Sequence, residues 1–273
     1  MTAPGSGNRI ARRLADNRAQ GRRSFIAYLT AGDPDLPTTI ELACALDAAG
    51  VDVLELGIPF SDPMADGVAI QASHGRALAA GTTPRAVIDA VRRIRERSQL
   101  PLLLFTYLNP VLAYGVDAFA GAAAQAGADG VLLLDLPPEE DPSLLERFLA
   151  HGLATVCLAA PTTPSRRARF LAQRTRGFLY YICRLGVTGE RDQLPPDLPE
   201  KVAALKQAAD IPVCIGFGIS TPEQAATAAR FGDGVVVGSH LVRLIEQHGR
   251  EPGLVRLVAE RAAQLAGAVH AVQ

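Results

Sequence analysis

Apolar residues recur along this chain in short blocks separated by longer helix-period segments. Eight such blocks stand out: Phe25–Leu29, Val51–Leu56, Leu102–Tyr107, Gly130–Leu134, Ala154–Ala159, Phe178–Ile182, Ile211–Ile215 and Gly234–Val237. Between them lie segments rich in Ala, Leu and Arg, at Thr38–Ala49, Pro84–Arg97, Val116–Gln125, Pro142–Ala150, Pro164–Gln173, Glu200–Ala208 and Pro222–Arg230. A strand followed by a helix returns the chain to the same end of the sheet, so the strands pair in parallel. Eight units within about 250 residues predict an α/β fold of one (β/α)8 TIM barrel. The barrel is expected to span 1–273 as a single domain, with residues 1–8 a flexible N-terminus. An extra N-terminal helix is expected over Arg9–Ala19, where Ile10 and Leu14 stand four apart on one face. The competing doubly wound sheet usually carries Gly-x-Gly-x-x-Gly after its first strand. Here that strand runs into Thr30-Ala31-Gly32-Asp33-Pro34 instead.

Composition narrows the function. The 273 residues alone are compatible with two domains of about 150 residues, but barrels of this size fold as one. Hydrophobic residues make up 48% and charged residues 20%, and the net charge is −1. Such a chain has ample core and no bulk field to attract nucleic acid or an anionic membrane. The four cysteines (44, 157, 183, 214) are scattered without a C-x-x-C, and no apolar stretch reaches the length of a membrane span, so a reducing cytoplasm is expected. An Arg-rich start also suits a transit peptide; a helix packed over one end of the domain is the plainer reading. The basic residues are lopsided: 25 are Arg, and only Lys201 and Lys206 are Lys.

In barrels of this kind, chemistry sits on the loops after the strands. Two of these are long, at about Gly57 to Val68 and Cys183 to Pro195. After the seventh run comes Gly216-Phe217-Gly218-Ile219-Ser220. After the eighth come Gly238 and Ser239, then a helix from about His240. Glycine amides and a helix N-terminus at these two positions predict a phosphate cradle, to which Gly186-Val187-Thr188-Gly189 could add donors. Strand alternation places Val51, Val53 and Glu55 on one face. If Val53 points inward, Glu55 does too, and its carboxyl should have a raised pKa suited to acid and then base work. Asp62 and Asp66 lie in the loop that follows, stiffened by Pro59 and Pro63, and the pattern does not choose between them. The two lysines follow the sixth strand, so a Schiff-base route is disfavoured. The five histidines (74, 151, 240, 248, 270) lack ligand spacing, so no metal is expected. What remains is carboxylate chemistry on a small phosphate ester. Phe25, Tyr28, Phe105, Tyr107, Leu132, Tyr180 and Phe217 are candidates for a pocket that accepts a flat apolar ring.

Four stretches, Tyr28–Pro34, Leu54–Gly67, Gly186–Gly189 and Gly216–Ser220, resemble the tryptophan synthase alpha chain family in order along essentially the whole chain. The resemblance implies retro-aldol cleavage of indole-3-glycerol phosphate to indole and glyceraldehyde 3-phosphate. By motif position it makes Glu55 the proton donor to the indole ring and Asp66 the partner of the ring N–H. It makes Tyr180 an active-site tyrosine, and Phe25, Phe105, Leu132 and Phe217 the indole pocket, beside which Tyr28 stays a candidate from its strand position. Thr188 belongs to a closing loop. Gly189, Gly218, Gly238 and Ser239 form the phosphate site. The resemblance also implies a beta chain partner that carries pyridoxal phosphate, in a heterotetramer of two alpha and two beta chains, with no cofactor in this chain. Asp62 and the Asn109-Pro110 loop would face that partner. Cys183 and Leu185 depart from the family's usual residues beside the lid. A sugar-phosphate isomerase or epimerase would explain the phosphate signal but not the second stretch. A non-catalytic barrel that only activates its partner would leave Glu55 and Asp66 without purpose.

Overall fold

A computed structural model describes residues 7–183, 194–216 and 218–272. Its strands are β1 (Ser24–Thr30), β2 (Val53–Gly57), β3 (Leu102–Thr106), β4 (Gly130–Leu133), β5 (Ala154–Thr155), β6 (Leu158–Ala159), β7 (Leu179–Ile182), β8 (Val213–Gly216) and β9 (Gly234–Val237). All pair in parallel in the order β5-β4-β3-β2-β1-β9-β8-β7-β6. The two ends of that order, β5 and β6, are pieces of the single run expected at Ala154–Ala159. The run is interrupted at Val156 and Cys157, and its continuity closes the sheet into an eight-stranded barrel.

The strands are buried on both faces, as parallel strands covered by helices must be. Along β1, Ile26 and Tyr28 face the barrel interior with Val53, Leu103, Phe105, Leu132, Phe178, Cys214 and Val236. Phe25, Ala27 and Leu29 face outward into the layer shared with the helices. The helix α1 (Arg9–Ala19) forms where expected, capped by Asn8, whose side chain accepts from the Ile10 N–H. Its Ile10 and Leu14 belong to the interior cluster. Ile10 packs within 3.1 Å of where a Cβ at Gly130 would stand, so α1 plugs the bottom of the barrel.

Several helices start on a short cap followed by proline. Asp35 opens α2 (Leu36–Ala48), Thr83 opens α4 (Pro84–Arg95), Asp141 opens α7 (Pro142–Ala150) and Thr221 opens α10 (Pro222–Ala229). Each cap oxygen accepts an otherwise orphaned N–H, and proline loses nothing in the first turn. α6 (Val116–Ala126), α8 (Ser165–Arg174), α9 (Leu198–Ala208) and α11 (Ser239–His248) fall on segments expected to be helical. Three helices were not anticipated: α3 (Val68–Ala79), α5 (Leu108–Tyr114) and α12 (Leu254–His270). No helix among the described residues is long and apolar enough to cross a membrane.

A recurrent aspartate joins neighbouring strands at the bottom of the barrel. Asp52, immediately before β2, accepts the Phe25 N–H at 2.8 Å. Asp129, before β4, accepts the Leu102 N–H at 2.9 Å, and Asp233, before β9, accepts the Val213 N–H at 2.9 Å. Each is also bound by a cationic or ring nitrogen: Asp52 by His270, Asp129 by Arg9 and Arg95, and Asp233 by Lys206. These carboxylates satisfy backbone amides at the starts of β1, β3 and β8.

Removing one of them isolates stability from chemistry. Asp129→Ala leaves the Leu102 amide buried without an acceptor and strips Arg9 and Arg95 of their carboxylate. The expected cost is about 3 kcal/mol. Thermal denaturation should show Tm lowered by about 6–12 °C, with kcat/KM of the folded fraction unchanged.

Candidate active site

Glu55 sits near the upper end of β2, in register with Tyr28 of β1 and Leu103 of β3. The inward direction of Val53 carries Glu55 inward with it, as alternation predicts. Its side chain points into the barrel mouth and is 1% exposed, and its Oε1 has no hydrogen-bond partner. A carboxyl stripped of water and given no compensating donor resists ionisation. Burial pushes Glu55 up to about 8 from an ordinary value of 4.5.

The segment 58–67 between β2 and α3 brings a second carboxyl over the same cavity. The Ile58 N–H continues the ladder to the Phe105 carbonyl at 2.9 Å, and the Asp66 N–H turns back onto the Pro63 carbonyl at 3.1 Å. This folds Asp66 inward, where it is buried, while Asp62 stays exposed. The choice the sequence pattern left open is thus a difference in burial. The Tyr107 hydroxyl donates to Asp66 Oδ2 at 2.7 Å and accepts the Ala65 N–H at 3.1 Å, so one phenol clamps both the carboxylate and the loop that carries it. Burial raises Asp66 to about 6, and the Tyr107 hydrogen bond partly offsets the rise. The Tyr107 phenol is itself held neutral, by burial first and then by the Asp66 charge.

The cavity between these carboxyls holds about 640 Å3, counting its open mouth. Its walls include Tyr28, Phe105 and Tyr180 from the expected set, together with Ile70, Leu134, Leu158, Ile182, Ile219 and Val236. Tyr28 and Phe105 meet edge to face, with ring centroids 5.1 Å apart. Two strand-end glycines make room for the tyrosine hydroxyls. A Cβ at Gly57 would stand 2.2 Å from the Tyr28 oxygen, and one at Gly216 would stand 2.3 Å from that of Tyr180.

Gly218, Gly238 and Ser239 line one end of the cavity, where α11 begins. Gly218 has φ +59°, a conformation few other residues adopt. The N-terminus of α11 directs its free amides and positive dipole end at this part of the cavity. This is the arrangement expected for an anion.

Two of the expected pocket residues lie elsewhere. Phe25 faces the helix layer, because it is three residues before Tyr28 and alternation puts the two on opposite faces. Leu132 does face inward, but it packs in the interior cluster and does not line the cavity. Phe217, Thr188 and Gly189 lie outside the described residues. The clamp by Tyr107 was not anticipated; that residue was noted only as one of the aromatics. His74, set aside with the other histidines for lack of ligand spacing, lies 3.9 Å from Asp66. A signal for it was present: on α3 it follows the cavity-lining Ile70 by four residues.

Comparisons with known proteins bear on this geometry. The family model described as tryptophan synthase alpha chain matches residues 14–270. The chain is 48% identical over 240 residues to the tryptophan synthase alpha chain of Geobacter sulfurreducens, covering 88% of this chain and 91% of that one. It is 44% identical over 268 residues to that of a Caulobacter species, covering 97% and 98%. Among solved structures, tryptophan synthase subunit alpha from Legionella pneumophila superposes with a TM-score of 0.88 at 38% identity, covering 97% of this chain and 99% of that one. A structure of Mycobacterium tuberculosis tryptophan synthase superposes with a TM-score of 0.88 at 37% identity, covering 96% and 98%.

The burial of Glu55 has a measurable consequence for stability. The folded chain keeps a proton that the unfolded chain releases above pH 4.5. The contribution of Glu55 to stability therefore falls as pH rises from 4.5 toward 8, by about 3 kcal/mol at pH 7. Glu55→Gln removes that dependence. Its Tm should exceed that of the unsubstituted chain by about 5–10 °C at pH 7–8, and the two should converge near pH 4.5. Equal Tm values throughout would show that the carboxyl is not desolvated.

Proposed function

The chain belongs to the tryptophan synthase alpha chain family, whose alpha subunit cleaves indole-3-glycerol phosphate to indole that passes to the beta subunit, and from this premise we propose how its residues perform the cleavage. The chain is a lyase, and the other product is glyceraldehyde 3-phosphate. The observation that carries the assignment of roles is the contrast between two buried carboxyls over one cavity. Glu55 has an unbonded oxygen and a pKa raised to about 8, while Asp66 is held near 6 with a phenol donating to it. At neutral pH the first is an acid and the second an anion. Carboxyls whose environments push their pKa values apart divide the acid and anion roles between them.

Glu55 gives its proton to C3 of the indole ring. The ring becomes a cationic indolenine, and the Asp66 carboxylate accepts the hydrogen bond of its N–H and stabilises the charge. Glu55, now a carboxylate, takes the proton of the hydroxyl on the adjacent side-chain carbon. The bond between C3 and that carbon breaks, its electron pair returns to the ring, and the carbon becomes the aldehyde. The proton returns to Glu55, so the step needs neither a lysine nor a metal. Tyr180 is half-buried and held neutral, by desolvation first and then by the Glu55 charge, and its hydroxyl serves the glycerol chain. Tyr28 and Phe105 hold the indole ring, with Phe217 as a further wall. Gly218, Gly238 and Ser239 grip the phosphate through backbone amides, joined by Gly189, while Thr188 closes over the substrate. Anchoring the far end of the substrate orients the bond to be broken.

The family implies a beta chain partner. The face beside Asp62 and Asn109 is the docking surface, although Asn109 and Pro110 lie in α5 and not in a loop and Pro110 is buried: Met64 is 83% exposed, Val68 77% and Leu112 52%. Exposed apolar side chains grouped in this way mark an interaction site. The complete assembly is a heterotetramer of two alpha and two beta chains with pyridoxal phosphate on the beta chain. The alpha chain acts as one cytoplasmic barrel domain.

The test is indole release from indole-3-glycerol phosphate, measured with the purified chain and again with a beta chain added. Glu55→Gln should lower kcat by about 10^3-fold or more and Asp66→Asn by about 10^2-fold; full activity in Glu55→Gln overturns the assignment. The profile of kcat/KM should be bell-shaped. It should rise through about 6 as Asp66 ionises and fall through about 8 as Glu55 loses its proton.

A further inference from the structure

Behind the wall formed by Tyr28 and Asp66, five hydrogen bonds make a series whose direction is fixed at both ends. At one end the Phe60 backbone N–H donates to His74 Nδ1 at 3.0 Å. A backbone amide can only donate, so Nδ1 carries no hydrogen and the neutral ring holds its hydrogen on Nε2. At the other end Ser73 Oγ donates its single hydrogen to the Ile70 carbonyl at 2.7 Å. Thr30 Oγ1, at 2.6 Å, must then donate to Ser73. The Tyr28 hydroxyl, 3.2 Å from Thr30, donates to Thr30 in turn. The phenol oxygen is left to accept from His74 Nε2, 3.3 Å away. The same ring nitrogen lies 3.9 Å from Asp66 Oδ2.

We propose that His74 is a positioning residue for the cleavage: as the neutral ring with hydrogen on Nε2, it anchors the Asp66 loop through Phe60 and turns its N–H toward the Asp66 carboxylate and the Tyr28 phenol. This rests on the reading of Asp66 as the partner of the indole N–H. The series sends the Tyr28 proton away from the cavity, so the tyrosine offers the indole ring its apolar surface. The N–H dipole favours the anionic form of Asp66. A second proton on the ring would have to enter at Nδ1, against the Phe60 N–H, and would break the anchor. Burial opposes that proton and lowers His74 to about 4.

The titratable groups around this ring are Tyr28 from β1, Glu55 from β2, Asp66 from the loop and Tyr107 bonded to Asp66. On α3 itself, Arg76 is bound by Asp33 at 2.8 Å and by Glu246 at 2.8 Å.

The test combines 15N NMR of histidine-labelled chain with pH–rate profiles of His74→Asn, His74→Leu and Asp66→Asn, scored by indole release. The His74 resonances, identified by their loss in His74→Asn, should show Nε2 protonated and Nδ1 bare from pH 6 to pH 8. An Nδ1-protonated tautomer, or a cationic ring at pH 6, overturns the proposal. Asn keeps an acceptor near the Phe60 N–H but loses the Nε2–H. It should lower kcat about 10-fold, leave KM within about 2-fold and move the acidic limb up by about 0.5 pH unit. Leu loses both contacts and should lower kcat about 100-fold. Lowered Tm with kcat and the acidic limb unchanged in both His74 variants, while Asp66→Asn loses activity, makes His74 purely structural and overturns the inference alone. Full turnover in Asp66→Asn overturns the reading of Asp66, and this role with it.

Discussion

The chemistry we propose for this barrel depends on one constraint, the removal of water from the Glu55 carboxyl. In water a glutamate gives up its proton well below neutrality and is a poor acid at pH 7. Here the residue is buried at the mouth of the barrel with one oxygen unbonded, and its neutral form persists to about 8. The carboxylate of Asp52 is treated in the opposite way. Asp52 is also buried, yet hydrogen bonds from His270, Asn17 and the Phe25 amide outweigh the desolvation and hold it below its ordinary range. The same side-chain chemistry thus serves structure at the bottom of the barrel and, in the mechanism we propose, proton transfer at the top, according to whether donors are supplied.

That division is possible because the two ends of the barrel are built differently. At the bottom, Asp52, Asp129 and Asp233 bind amides at the starts of neighbouring strands, and α1 inserts Ile10 and Leu14. At the top, glycines end β2 and β8, and tyrosine hydroxyls occupy the space a side chain would fill. Gly238 and Ser239 leave the N-terminus of α11 facing the cavity. Stability concentrated at one end allows the other to carry an unsatisfied acid, an anion-binding helix end and a loop. The strain of an isolated buried carboxyl is tolerable where three ionic ties hold the strands below it.

Much of the fold was legible because parallel strands buried on both faces read as unbroken apolar runs. All eight runs became strands, and the one at Ala154–Ala159 split only at Val156 and Cys157. The alternation of Val53 and Glu55 placed the central acid correctly. The same rule applied to β1 separates Phe25 from Tyr28, and the pocket position expected for Phe25 ignored it. Asp66 could not be distinguished from Asp62 by pattern, since the difference arises from a turn onto Pro63 and from Tyr107, which is distant in sequence. α3 was hidden because its polar Ser73 and His74 are buried beside the site rather than exposed to solvent. The bottom aspartates carried a weak signal, a Gly-x-Asp or Gly-Asp just before a strand at Gly50-Val51-Asp52, Gly127-Ala128-Asp129 and Gly232-Asp233. Its meaning needed the neighbouring strand.

Infrared spectroscopy observes the protonation state of Glu55 without turnover. Difference spectra of the free chain recorded from pH 5 to pH 9, with Glu55→Gln as the reference, isolate the carbonyl stretch of a protonated Glu55. The account predicts a protonated-carboxyl band that is present at pH 7, absent from Glu55→Gln, and lost with a midpoint near 8. A band that has already vanished by pH 6 would contradict it, because Glu55 would then be an ordinary carboxylate at neutral pH with no proton to give to the indole ring.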